Sequence, residues 1–364
     1  MSQYEIDVAS CRSRQGRLVA EMERQGLDLV IVGQKANVQW LSGCHFLWFH
    51  EAIAALSVDG KLTLVAPGDP PEVAAADEVL TYEAQWLSTL RNDQRKASSA
   101  VLLKSLARKT PKRVGVESST FGCLEKLGGK LIDIEASLYV LRRRKDTDEI
   151  ALLKKAIAGT EKMYQRAREI IEPGISELEV FSQLQAAAVA EFGEVSTANG
   201  NDYQCGTPGG PPRDRKALAG ELYILDLGPA FRGYFADNCR TIAVTTTTDE
   251  QQEAWTYVTK VLEHVQRSVK PGKSARQLFQ EAQAILAEAP LGIFYHHLGH
   301  GFGLFPHEAP HLNPHWDDTF EAGEVFTAEP GLYAPELRGG MRLENNYLVT
   351  TEGVELLTDF PLEL

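Results

Sequence analysis

Trp255, Val258, Leu262, Val265 and Val269 recur at steps of three and four, with Glu and Lys side chains between them. That period puts one apolar stripe of a helix against a core and leaves the charges on the solvent side. Ser176-x-x-Glu179, Thr248-x-x-Gln251 and Ser274-x-x-Gln277 each precede a helical pattern with capping-box spacing, which satisfies two orphan amide donors reciprocally. Glu221 to Asp226, Cys239 to Val244, Glu324 to Ala328 and Met341 to Thr350 read as strands. The first 140 residues follow another pattern. Short β-branched runs at Leu27 to Val32, Leu62 to Ala66 and Val114 to Val116 alternate with helical stretches, such as the one before Leu27. A basic segment, Leu141 to Lys145, then meets Asp146-Thr147-Asp148-Glu149, whose acids suit the positive end of a helix. These patterns predict an α+β chain: a smaller α/β domain over 1–140, a linker over 141–150 and a second domain over 151–364.

A length of 364 residues suits two cores better than one. Apolar and charged fractions of 43% and 24% supply enough side chains to fill both, which argues against disorder. A net charge of −13 opposes nucleic acid and anionic lipid and leaves a small molecule or peptide as the expected partner. No basic leader with an apolar run and no membrane-length apolar segment is seen, so a cytoplasmic location and no membrane partner are expected. The five cysteines, Cys11, Cys44, Cys123, Cys205 and Cys239, are scattered without a close pair and read as reduced thiols.

The candidate chemistry lies in the second domain. Asp226 and Asp237 bracket a stretch with turn residues Pro229 and Gly233. A turn centred between Phe231 and Arg232 sets the two carboxylates opposite each other on one face of a hairpin. Glu329 and Glu344 face each other in the same way if the turn is centred between Glu336 and Leu337. Like charges directly opposite destabilise a sheet unless a cation intervenes. Arg342 could serve one pair, but two pairs in one domain point to two divalent ions. Most of the nine histidines fall between His296 and His315. Glycines at 299, 301 and 303 allow close approach of a backbone or a ligand, which favours His300 as a metal ligand. His307, seven residues on, reaches the same cleft only if the chain bends, for which Pro306 is suited.

These residues resemble the pita-bread-fold metallopeptidases, the group of Xaa-Pro dipeptidase (prolidase), aminopeptidase P and methionine aminopeptidase. The resemblance covers most of 146–364. It rests on Asp226-x-Gly228 with Gly233-Tyr-Phe-Ala-Asp237-x-x-Arg240-Thr241, and on His300-Gly-Phe-Gly-Leu with His307-Glu308-x-Pro310. Phe326-Thr-Ala-Glu329-Pro-Gly-x-Tyr333 and Gly340-Met-Arg342-Leu-Glu344 complete it. Asn37-Val-Gln-Trp-Leu-Ser-Gly43 is similar to the N-terminal domain of prolidases, aminopeptidases P and creatinases, and disfavours methionine aminopeptidase. The resemblance implies a C-terminal pita-bread domain binding two divalent ions, Mn²⁺ first and Co²⁺, Zn²⁺ or Fe²⁺ as alternatives. Asp226, Asp237, His300, Glu329 and Glu344 would be the ligands. It implies attack by a hydroxide bridging the metals, with Glu329 relaying the proton and His307 stabilising the oxyanion. His296 would lie near substrate, and Arg342 and Tyr333 would support the ligands from behind. A homodimer acting on short proline-containing peptides, most closely as an Xaa-Pro dipeptidase, is the implied protein.

Two positions depart from the family pattern. A substrate-contacting histidine is usual seventeen residues before Asp226, where this chain has Gly209. Dipeptidases tend to carry an arginine just after His-Glu-x-Pro, where this chain has His311, losing a permanent charge and a bidentate fork at a substrate position. Hydrolysis of another amide or C–N bond is therefore the alternative activity, and a non-catalytic binding protein is a third reading that the intact ligands oppose.

Overall fold

A computed structural model describes residues 4–46, 50–84, 94–107, 110–117, 129–200 and 202–364. The chain divides into two compact units, Met1–Arg142 and Arg143–Leu364.

The first unit contains α1 (Val8–Gln25), β1 (Leu29–Val32), α2 (Lys35–Ser42), β2 (Ile53–Ser57), β3 (Leu62–Pro67), β4 (Glu78–Tyr82), α3 (Gln94–Ser105), β5 (Arg113–Val116), β6 (Lys130–Asp133) and α4 (Glu135–Arg142). Its strands form one mixed sheet in the order β4-β3-β2-β1-β5-β6. Leu29, Ile31, Ile53, Val65, Val114 and Val116 bury one face of it with Leu102 and Leu106 of the α3 region. The segment 37–43 is α2 closed by Gly43, which caps the helix in the left-handed region at φ +78°. At the other end the buried Glu117 carboxylate accepts from Gly33 N, Gln34 N and Asn37 Nδ2, which holds the chain where it enters the helix.

The second unit opens with α5 (Thr147–Ile170) and α6 (Glu177–Phe192), followed by β7 (Asp202–Cys205), β8 (Leu222–Leu227), β9 (Ala230–Phe231), β10 (Tyr234–Phe235) and β11 (Asn238–Ala243). Next come α7 (Asp249–Ser268), α8 (Ala275–Ala287), β12 (Gly299–Gly301), β13 (Glu308–Leu312), β14 (Val325–Ala328), β15 (Gly331–Leu332), β16 (Met341–Arg342), β17 (Asn345–Val349) and β18 (Val354–Leu356). Strands β11-β8-β7 make one sheet and β13-β12-β14-β17-β18 another. The expected α7 stripe is buried at Val258, Leu262, Val265 and Val269, with Trp255 partly covered, and packs with Leu278 and Phe279 of α8 against Phe326 and Tyr347.

The structure corrects several local expectations. α5 begins at Thr147, with the Glu149 carboxylate accepting from Asp146 N at 3.0 Å, so the connector after α4 is shorter than 141–150. Of the three expected capping boxes, Thr248 and Gln251 alone complete the reciprocal pair. Ser176 and Ser274 accept from the expected amides, but the Glu179 and Gln277 side chains turn to Gln183 and Glu281 instead. The strand expected over 341–350 is broken at Leu343 and Glu344. Cys44, Cys205 and Cys239 are buried free thiols, Cys11 is buried and its Sγ accepts from Arg14 Nη2 at 2.9 Å, and Cys123 lies outside the described residues. Among the described residues no helix is long and apolar enough to cross a membrane.

Candidate metal centre

The first carboxylate pair is set by a two-residue turn. Arg232 and Gly233 take φ of +49° and +85° between paired Phe231 and Tyr234, the positive-φ turn that matches strand twist. It lies one residue later than expected. Asp226 of β8 therefore faces Cys239, not Asp237. Asp237, two residues before Cys239, remains on the same side of the ladder as a diagonal neighbour of Asp226. Glu329 and Glu344 keep the expected alignment: Ala328 pairs with Asn345 and Gly331 with Arg342, one register in which 329 faces 344. The turn is a 3-10 segment, Pro335–Leu337.

Long-range backbone bonds bring the two hairpins together. Glu344 N donates to Cys239 O at 2.9 Å, which turns Glu344 towards β11 and explains the strand break. Arg240 donates to Glu344 O at 2.6 Å and Thr241 to Arg342 O at 2.9 Å. Glu329 N donates to Leu298 O at 2.7 Å, beside β12. As a result Asp226, Asp237 and Glu344 each present an oxygen, all within 4.8 Å of one another.

His300 supplies a nitrogen to the same cluster. Its Nδ1 lies 2.9 Å from Gly301 O, and its Nε2 lies 3.5 Å from Asp237 Oδ2 and 3.6 Å from Glu329 Oε1. The flanking glycines make room for backbone: a Cβ at Gly299 would meet Thr327 O at 2.1 Å, and one at Gly301 would meet Ala309 O at 2.1 Å. The β12–β13 register shifts just after His300, and the connection through Pro306 returns so that the His307 ring stacks on His300 at 3.7 Å between centroids. A buried ion pair at 2.7 Å between Lys145 and Glu308 fixes the base of that connection.

His296 belongs to a separate chain of bonds. Its Nδ1 lies 2.8 Å from His297 O and must donate there, so Nε2, 2.8 Å from the Tyr333 hydroxyl, accepts. Tyr333 Oη in turn accepts from Arg342 Nη1 at 3.2 Å, and Arg342 Nη2 donates to Asp226 Oδ2 at 3.0 Å and to Asp202. His311 pairs across the ladder with His300, and its backbone N and its Nδ1 both lie on the Asp318 carboxylate at 2.7 and 3.0 Å. A Cβ at Gly209 would fall 2.3 Å from Asp202 Oδ2, so a side chain there would have to displace that carboxylate.

The electrostatics call for cations. Burial, reinforced by Glu329 and Asp202 against Arg342, pushes Asp226 up to about 7. Burial and then neighbouring carboxylates drive Asp237 and Glu344 well above the usual range. Both Glu344 oxygens are buried without a hydrogen-bond partner among the described residues. Orphaned buried acceptors of like charge are costly, and divalent ions would satisfy them, so the residues present fit a metal centre. Glu329 differs: burial alone would raise it, but His297, with His300 and His296, holds it down at about 2. Burial lowers His300 to about 3, which keeps it neutral, as a ligand must be.

Sequence reasoning missed Asp202, Lys145 and His297. The first two act through partners far along the chain, which no local pattern reports. His297 adjoins His296 in sequence but precedes β12, so strand alternation does not fix its side.

A family model described as Metallopeptidase family M24 matches residues 151–351, and one described as Creatinase/Prolidase N-terminal domain matches residues 14–144. The chain is 28% identical over 359 residues to an Xaa-Pro dipeptidase of Pyrococcus horikoshii, covering 96% of this chain and 97% of that one. Its structure is similar to that of prolidase from Pyrococcus furiosus, with a TM-score of 0.80 and 26% identity over 94% of this chain and 99% of that one. An Xaa-Pro dipeptidase from Bacillus anthracis shares the fold, with a TM-score of 0.82 and 24% identity over 97% and 99% of the two chains.

Proposed function

The chain belongs to metallopeptidase family M24, and we propose that it is a two-metal hydrolase of Xaa-Pro peptides, with Xaa-Pro dipeptides as its first substrate class. The carrying observation is the convergence of Asp226, Asp237 and Glu344 with His300 and Glu329 around one buried cluster. The full-length similarity to a protein named Xaa-Pro dipeptidase supports the substrate class.

Asp226, Asp237, His300, Glu329 and Glu344 would hold the two ions, and their mainly carboxylate character favours Mn²⁺. Such ions, when bound, polarise the scissile carbonyl and lower the pKa of water. Glu329, kept ionised by the imidazoles beside it, accepts the proton from the attacking water and delivers it to the leaving nitrogen. The water oxygen bonds to the carbonyl carbon and the C–N bond breaks. His307, stacked on His300 at the exposed edge, donates to the oxygen on which charge develops. His296, Tyr333 and Arg342 keep Asp226 oriented. The same reading takes a homodimer as the assembly and the cytoplasm as the location.

The test is turnover of Xaa-Pro dipeptides and longer Xaa-Pro peptides by purified protein loaded with Mn²⁺, Co²⁺ or Zn²⁺. Release of proline or a proline-led remnant is expected, and an intact panel under all three metals defeats the reading. The tie of His311 to Asp318, together with the absence of a side chain at 209, favours a second reading, hydrolysis of another amide or C–N bond. Mass spectrometry of products from a broad amide library separates the two. Products from proline peptides alone count against the second.

A further inference from the structure

The cluster holds a donor beyond the five ligands already named. His297 Nδ1 lies 3.2 Å from Glu329 Oε1. The ligand atoms of His297, His300 and Glu329 all lie within 4.8 Å of one another, as do those of Asp237, His300 and His307. A third group in the same place, Asp226, Asp237 and Glu344, offers oxygen alone.

The spacings are those of a coordination shell. Donors bound at about 2.1 Å to one ion lie roughly 3.0 Å apart in an octahedron and 3.4 Å apart in a tetrahedron. The contacts His297–Glu329, His300–Asp237 and His300–Glu329, at 3.2, 3.5 and 3.6 Å, are edges of about that size. Hydrogen bonding does not account for them all. His300 spends its one N–H on Gly301 O, so its Nε2 turns a lone pair towards two carboxylate oxygens. Acceptors facing acceptors need a cation between them.

We propose that His297 is a ligand of the metal position that His300 and Glu329 share, so that the centre has one all-carboxylate position and one imidazole-rich position. This rests on the reading of the chain as a two-metal hydrolase. The consequence is unequal metal preference. Carboxylate oxygens suit Mn²⁺, whereas added imidazole nitrogens favour Zn²⁺ and Co²⁺.

The experiment compares wild type, His297→Ala and the closer-shaped His297→Gln, each stripped of metal and then titrated. Competition titration gives the affinity for the first Co²⁺ or Zn²⁺ equivalent. Proton NMR of the Co²⁺ protein counts the exchangeable, paramagnetically shifted imidazole N–H signals. Electron paramagnetic resonance follows Mn²⁺ uptake. Both variants should bind the first Co²⁺ or Zn²⁺ about 10–100-fold more weakly and lose one imidazole signal, with Mn²⁺ uptake at the carboxylate position retained. The signal count distinguishes a ligand from a mere ion-pair partner of Glu329, which would change affinity without removing a coordinated ring. If wild type binds two ions and folded His297→Gln shows the same imidazole count, this inference alone falls. If wild type takes up no metal, the two-metal reading falls with it.

Discussion

Asp202 determines what can stand at Gly209. Its Oδ1 accepts from Gly210 N at 2.7 Å while its Oδ2 meets Arg342, which also reaches Asp226. The carboxylate thus ties the glycine-rich loop to the metal centre and occupies the space a side chain at 209 would need. Gly209 also has a φ of +140°, which a side chain tolerates poorly. Gly209→Ala should destabilise the protein by about 1–3 kcal/mol, read from urea unfolding. Asp202→Gly removes the colliding carboxylate, so the double variant Asp202→Gly/Gly209→Ala should be more stable than the sum of the single effects predicts. Strict additivity would mean that the two residues do not compete for the same space.

At the scale of elements, one helix start secures the turn of the Glu329–Glu344 hairpin. Gln251 completes the capping box with Thr248, and its amide also donates to Gly220 O at 3.1 Å and Leu337 O at 2.9 Å. Thr248→Ala should cost about 1 kcal/mol, the usual value of an N-cap. Gln251→Ala should cost more, roughly 1–3 kcal/mol, because it leaves the buried Leu337 carbonyl at the turn without that donor. Equal destabilisation in denaturant titrations would show that the link to Leu337 contributes nothing. The hairpins also show how far local sequence reaches. The alignment of 329 with 344 is readable because the turn lies midway between them and the flanking pairs keep one register. The alignment of 226 with 237 is not, because the turn depends on Arg232 adopting a positive φ that its side chain does not announce. The α+β pattern and most strand positions were legible from period and spacing, and the grouping of the carboxylates with His300 was implied by the family resemblance. The strand break at Glu344 and the part played by Asp202 were not, since each is imposed by a partner about a hundred residues or more away.

For the molecule as a whole, the metal centre makes stability conditional. The chain already carries a net charge of −13. Its second unit gathers Asp226, Asp237 and Glu344 in one buried place, with Glu329 beside them. Without ions, burial and mutual repulsion oppose ionisation of the first three. Ions that bind the folded state and not the unfolded one add about 2.7 kcal/mol when free metal stands a hundredfold above its Kd. For a unit of this size that corresponds to a rise in melting temperature of roughly 5–10 °C, which chelator should reverse. Every residue proposed as a ligand lies in Arg143–Leu364, so the gain should appear there first. Hydrogen exchange of stripped and loaded protein should show metal-dependent protection in β8, β11, β12, β14 and β17, with the amides of β1, β2, β3 and β5 unchanged. Equal protection of the strands of both units would show instead that the ions stabilise the two units as one cooperative body. Loss of the melting shift with unchanged exchange would mean that the carboxylates are satisfied without metal.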